Sequence, residues 1–138
     1  MANFDKKLVI VINEKVEIGK AMNALSFAML GFGANANKDE LKLNQYIDAD
    51  GNVHSDISEM PIVILKANSN KIRNLRKLAM ENNVQFVDFV DTMSIGTYQE
   101  EYNLTKTKKD EELDYWAIVL FGSRDLVTEW TKKFSLYK

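Results

Sequence analysis

No cysteine occurs among the 138 residues. This excludes a disulfide framework, a thiolate zinc site and a cysteine nucleophile. It fits a reducing compartment, so a cytoplasmic location is the expectation. Proline occurs once and glycine six times, scattered along the chain. They leave no linker-like segment, and no internal repeat is visible. One domain over residues 1–138 is therefore expected, long enough to bury a real core. The single histidine, His54, cannot assemble the usual zinc cluster, and no HExxH motif is present. No metal and no cofactor is expected. The chain also lacks the roughly 18 unbroken apolar residues that would suggest a membrane span. Its longest apolar stretch, IGKAMNALSFAMLGFGA at residues 18–34, is interrupted by Lys20 and by glycines. The N-terminal MANFDKKLVIVINEK joins a basic flank to a short apolar run without a small-residue cleavage pattern. It reads as a strand rather than a signal peptide. Finally, 18 Lys and Arg against 20 Asp and Glu give a formal charge of −2. No overall positive field draws the protein to nucleic acid.

What is present is an alternation of apolar strands and helical segments. KKLVIVIN (residues 6–13) is a β-branched run suited to a central strand covered on both faces. The stretch at 18–34 reads as a helix buried on nearly every side. LKLNQYID (41–48) suggests a strand, Asp50-Gly51 a tight turn, and a short return strand passes through Val53. IVILKA after Pro61 is another buried strand. Ser69 or Asn70 then caps a helix from about 71 to 82 whose Ile72, Leu75, Leu78 and Ala79 face inward. VQFVDFV (84–90) and YWAIVLFG (115–122) read as strands. Between them lie a mostly helical segment (91–104) and the charged loop TKTKKDEE (105–112). Ser123 caps a last helix carrying Leu126, Val127, Trp130 and Phe134 inward. This order predicts a compact single-domain α/β sandwich with a small mixed, mainly parallel sheet flanked by helices.

Several blocks in this order and spacing carry a resemblance that spans most of the chain. They are LVIVIN, the G-x-x-x-N-A helix start, DADGNVH, PIVILKA with its helix, FVDFVD and YWAIVLFGSRDLV. Together they resemble a bacterial domain family of unknown function in the superfamily of type 2 peptidyl-tRNA hydrolases. The resemblance implies a compact α/β domain around a small mixed sheet. In the hydrolases a glycine and lysine open the first helix, followed on it by a glutamine and a histidine. A later strand brings an aspartate with a threonine four positions on. Gly19 and Lys20 match the first pair, and Asp88 and Thr92 match the last. The glutamine and histidine positions fall on Ala24 and Phe27, and a further glutamine position falls on Met93. Half of the polar constellation is thus apolar, and no appreciable peptidyl-tRNA hydrolysis is expected.

The candidate ligand-binding residues are Gly19, Lys20, Asn23, His54, Asp88, Asp91 and Thr92; no catalytic residue is assigned. Lys20 at a helix start would meet a phosphate or a carbonyl oxygen, helped by free N–H groups. The plain alternative is a lysine whose stem covers apolar surface. Asn23, one turn on, would orient a ligand, or else tie the helix to a loop. Asp88 and Asp91 end a strand, where α/β folds often place a site; either would equally cap the next helix. Thr92 offers a hydroxyl and His54 a ring nitrogen beyond a turn. Lys71, Arg73, Arg76 and Lys77 read as a solvated helix face, which argues against an RNA partner. Phe86, Phe89, Tyr98, Tyr102, Tyr115, Trp116 and Phe121 read as core or pocket walls. Three functions remain open: a small-molecule-binding or regulatory domain, a divergent ester hydrolase acting on an aminoacyl- or peptidyl-tRNA-like substrate, and a non-catalytic homo-oligomeric interaction protein, a homodimer for instance.

Overall fold

In the computed structural model, which describes residues 4–138, KKLVIVIN forms β1 (Lys6–Asn13) at the middle of a five-stranded sheet. The first three residues of the basic N-terminal flank lie outside the described range. The chain continues through α1 (Ile18–Asn35), a single turn α2 (Lys38–Leu41), β2 (Leu43–Ile47), β3 (Val53–Ser58) and β4 (Ile62–Ala67). Then come α3 (Ser69–Glu81), β5 (Gln85–Val90), α4 (Tyr98–Thr105), β6 (Tyr115–Ser123), α5 (Arg124–Thr131) and β7 (Ser135–Leu136). Two short 3-10 turns, Asp91–Ser94 and Asp110–Glu112, flank α4.

The strand order is β5-β6-β1-β4-β7. Among the described residues only β1 and β4 pair in parallel; β1 with β6, β5 with β6 and β4 with β7 are antiparallel. The sheet is therefore mixed but mostly antiparallel, which corrects the mainly parallel arrangement expected from the sequence. Two physical reasons explain the difference. A continuous apolar run reports that both faces of a strand are covered, not which way its neighbours point. Moreover, α3 does join two strands of the same direction, β4 and β5, but β1 and β6 lie between them in the sheet. Strand–helix alternation makes parallel strands here without making them adjacent.

The period of two along each strand divides the core. Val9 and Val11 of β1 and Ile118 and Leu120 of β6 pack with Ile72 and Leu75 of α3 and Val127 of α5. Leu8, Ile10 and Ile12, with Val119 and Phe121, pack with Ala21, Ala28 and Phe32 of α1. Helix α1 buries only the stripe Ala21, Ala24, Ala28 and Phe32. Ile18, Met22, Phe27 and Leu30 are exposed, Leu30 by 73%. The helix is thus apolar all round but covered along one stripe, contrary to the nearly complete burial expected.

Local chemistry sets the ends of the elements. Asn68, rather than Ser69 or Asn70, caps α3 by accepting the Lys71 N–H at 2.9 Å. The Ser69 hydroxyl instead accepts the Tyr115 N–H. Ser123 stands at the N-cap of α5 without a side-chain cap bond, and Leu126 is partly exposed. Thr97 and Glu100 form a capping box that starts α4. Gly51 supplies the positive φ of +83° in the turn of the β2–β3 arm. Gly122 lets β6 pass Val84, since a Cβ there would meet Val84 Cγ1 at 2.8 Å.

Candidate functional site

The first turns of α1 bring Gly19, Lys20 and Asn23 to a shallow cavity of about 360 Å³, completed by Ser94, Ile95 and Trp116. All three of the α1 residues are exposed. The larger cavity, about 750 Å³, begins at Asn23 and extends along α1 past Phe27 and Ala28. Its floor is the edge strand β5, at Val87, Asp88 and Phe89; its far wall is the turn at Met93 and Ser94 and helix α4, with Tyr98, Glu101, Tyr102 and Thr105. Asn23 and Ser94 line both cavities, so the two are contiguous.

Strand alternation decides what β5 gives to this space. Val87 and Phe89 point to the α1 side, where Phe89 packs on Ala24 and Ala117. Its ring lies 5.9 Å from that of Phe27 and 5.9 Å from that of Trp116. Phe86 and Val90 face α3, and Asp88 shares their parity. The Asp88 carboxylate accepts a hydrogen bond from Arg76 Nε at 3.2 Å. Burial pushes its pKa above the ordinary aspartate value, and the Arg76 guanidinium offsets this only in part. Asp88 therefore lines the large cavity at the strand edge, while its charge is held from the opposite side of the sheet. Lys20, Asn23 and the Asp88 carboxylate do not meet at one point.

The other residues singled out in the sequence have local partners. Asp91 Oδ1 accepts the Asp114 N–H at 3.1 Å, and the Asp91 N–H donates to the Asp114 carbonyl. This doubly tied pair closes the end of β5 against the start of β6. Thr92 is buried, and its hydroxyl meets that of Thr105 at 2.6 Å. Because Thr105 Oγ1 donates to the Glu101 carbonyl, it accepts from Thr92, and the two hydroxyls pin the 3-10 turn to α4. His54 lies on the exposed β2–β3 arm, with Nε2 2.9 Å from Asp48 Oδ2. That bond, with N–H groups of Asn52 and Asp50, holds the Asp48 carboxyl below its ordinary value. His54 lines neither cavity.

The sequence reads Tyr98 and Tyr102, like Phe89, as core or pocket walls, and all three line the large cavity. Phe27, Met93, Glu101 and Thr105 are not assigned to the site by the sequence; the signal available was the pair Tyr98 and Tyr102, four apart on one helix face. Asn13 was also missed. It is buried at the end of β1, where its amide donates to the Tyr115 carbonyl at 2.9 Å and its oxygen accepts the Lys15 N–H. It fixes the chain that leads into α1.

Among the described residues, no group of three or more His, Cys, Asp or Glu is placed to hold a metal ion. No described helix is long and apolar enough to cross a membrane. No buried described side-chain nitrogen or oxygen lacks a partner, so unmet polar capacity lies on open walls such as that of Asn23.

A solved structure of similar fold is that of Atu0240, a protein of unknown function from Agrobacterium tumefaciens str. C58. The TM-score is 0.84 at 20% identity, over 99% of this chain and all of the other. At that identity the likeness concerns the fold alone. No curated protein matches the sequence significantly. A family model described as a protein of unknown function (DUF2000) matches residues 6–138, nearly the whole α/β domain, and the chain belongs to that family.

Proposed function

We propose that this protein is a small-molecule-binding domain, and that its ligand occupies the cavity between α1, the edge of β5 and α4. The observation that carries this reading is the composition of that single space. It has about 750 Å³ of volume, walls of Phe27, Val87, Phe89, Met93, Tyr98 and Tyr102, and a few polar groups at Asn23, Ser94, Glu101 and Thr105. Ligand sites are concave and mostly apolar, with a small number of orienting polar groups. Asn23 and Lys20 at the narrow end extend the site into the smaller cavity. The resemblance to type 2 peptidyl-tRNA hydrolases adds support for the location. Two positions where those enzymes carry polar side chains fall on Phe27 and Met93, both lining residues here. The same substitutions leave an ester hydrolase with less support, as does the engagement of the Asp88 carboxylate by Arg76.

The test is binding of the neutral fluorophore N-phenyl-1-naphthylamine, followed by its emission. Binding is expected for the native protein. Ser94→Trp, at an exposed position lining both cavities, is expected to abolish it while leaving the thermal midpoint nearly unchanged. Binding that survives Ser94→Trp, or no binding at all, overturns the reading.

A second reading, self-association, rests on a different observation. Ile18, Met22 and Leu30 on α1 and Tyr46, Ile47 and Val53 on the β2–β3 arm expose apolar surface, Ile47 by 69%. A two-stranded arm is marginal on its own, and a second copy would cover it. Light scattering at high concentration tests this: a dimer dissociated by Ile47→Lys supports it, and a strict monomer rejects it.

A further inference from the structure

We infer that the large cavity selects an aromatic or similarly flat apolar ligand bearing a cationic nitrogen, with Glu101 as the counter-charge. This rests on the reading of the cavity as a ligand site and names the class of ligand. The walls contain no lysine, arginine or histidine; their titratable residues are Asp88, Glu101 and the tyrosines Tyr98 and Tyr102. The Asp88 carboxylate is committed to Arg76. Glu101 is left as the wall's charged group, half-buried, with Oε2 accepting the Gly96 N–H at 3.3 Å. One backbone bond leaves most of a carboxylate's acceptor capacity open. The rings of Tyr98 and Tyr102, 6.0 Å apart, stand on the same helix face as the approach to it. Aromatic faces attract a cation and stack on a flat apolar body. An anion entering the same space would meet negative charge and electron-rich rings with no compensating cation on the walls. Lys20 belongs to the adjoining cavity, and Lys106 sits 5.6 Å from the centre of the Tyr102 ring without lining the space.

The experiment compares three indoles that differ at the end of a two-carbon side chain: tryptamine, its neutral isostere 3-propylindole, and indole-3-propionate, titrated by calorimetry and by saturation-transfer NMR. Tryptamine is expected to bind about 10-fold more tightly than 3-propylindole, the scale of one charge-assisted hydrogen bond, and indole-3-propionate most weakly. Glu101→Gln is expected to bring tryptamine down to the level of 3-propylindole without changing 3-propylindole itself. Far-UV circular dichroism and the thermal midpoint establish that the variant is folded. Equal binding of all three indoles, or tightest binding of indole-3-propionate, overturns the cation selectivity while the ligand site stands. A tryptamine preference that persists in Glu101→Gln overturns the role of Glu101. Failure of all three indoles to bind overturns the selectivity; loss of N-phenyl-1-naphthylamine binding as well removes the ligand site with it.

Discussion

Phe27 of α1 stacks on Phe89 of β5 with ring centroids 5.9 Å apart and planes inclined by 27°. The two rings have opposite environments. Phe89 is 4% exposed and belongs to the core beneath α1, whereas Phe27 is 58% exposed and forms the lip of the large cavity. Their substitutions should therefore separate stability from binding. Phe89→Ala is expected to cost about 3–5 kcal/mol, the usual loss for a buried ring. Phe27→Ala is expected to cost about 1 kcal/mol, because less than half of the ring is covered, yet to weaken binding of N-phenyl-1-naphthylamine strongly. Urea denaturation of both variants, beside a titration of the Phe27 variant, checks the pair. Similar losses of stability would show that Phe27 is a core residue and not a cavity wall.

The hydroxyl relay from Thr92 to Thr105 to the Glu101 carbonyl runs in one direction, and this makes its two ends unequal. Thr92→Val removes the first donor but leaves Thr105 bonded to Glu101, so a cost of about 1 kcal/mol is expected. Thr105→Val takes the acceptor away from a Thr92 hydroxyl that is only 1% exposed. The stranded group should raise the cost to about 1–3 kcal/mol. Hydrogen exchange should show faster opening of α4 in the Thr105 variant than in the Thr92 variant. The reverse order would refute the assigned direction of the relay.

The strands of this fold were legible because β1 and β6 carry apolar runs too short for a globular helix and rich in β-branched residues. Helix α3 was legible because Ile72, Leu75 and Ala79 recur at helical spacing over a charged face. Strand direction was not legible, since it depends on which strands a crossover skips. The burial of α1 was overestimated because an all-apolar helix gives no polar face from which to read its exposed side. For Asp88, alternation alone puts it opposite Phe89. Only the placement of α1 and α3 on the two faces shows that its charge belongs with Arg76 and not with Lys20. The cavity itself depends on α4, whose YQEEYNLT sequence has no strong apolar period; its attachment to the preceding 3-10 turn through the Thr92 and Thr105 hydroxyls is a contact that no local pattern announces.

Asp88 should leave a signature in the pH dependence of stability. Its native pKa is raised from 3.8 because burial outweighs the pull of Arg76. Between 3.8 and the higher native value the folded state holds this proton while the unfolded state has released it. The contribution of Asp88 to stability is therefore fully present below pH 3.8 and lost as the pH rises through the native pKa. Asp88→Asn lacks this titration and can still accept the Arg76 N–H. Relative to the native protein, the variant should thus gain stability as the pH rises from about 4 towards neutrality. Urea midpoints across that interval measure the difference. A native protein that instead gains on the variant would mean that the ion pair dominates and the pKa is depressed.

Peptidyl-tRNA hydrolysis should be absent, and the geometry also predicts that it cannot be restored by exchanging residues. Ester cleavage needs support for the developing oxyanion and a base for water. Lys20 offers the first, but the carboxylate of Asp88 lies with Arg76 across the sheet. Ala24, which the sequence resemblance would align with a glutamine of the hydrolases, is fully buried against Phe89 and Ala117. Ala24→Gln would force a long amide into a closed core and is expected to cost about 1–3 kcal/mol from overpacking alone. Phe27→His, at the exposed lip, should fold normally. Release of the peptidyl moiety from an N-acetylaminoacyl-tRNA should match the buffer rate for the native protein, for Phe27→His and for the Ala24→Gln/Phe27→His double variant, with only the double variant markedly lowered in thermal midpoint. Turnover by the native protein that disappears in Lys20→Ala would place a working oxyanion site at the start of α1 and reverse the choice between binding domain and hydrolase.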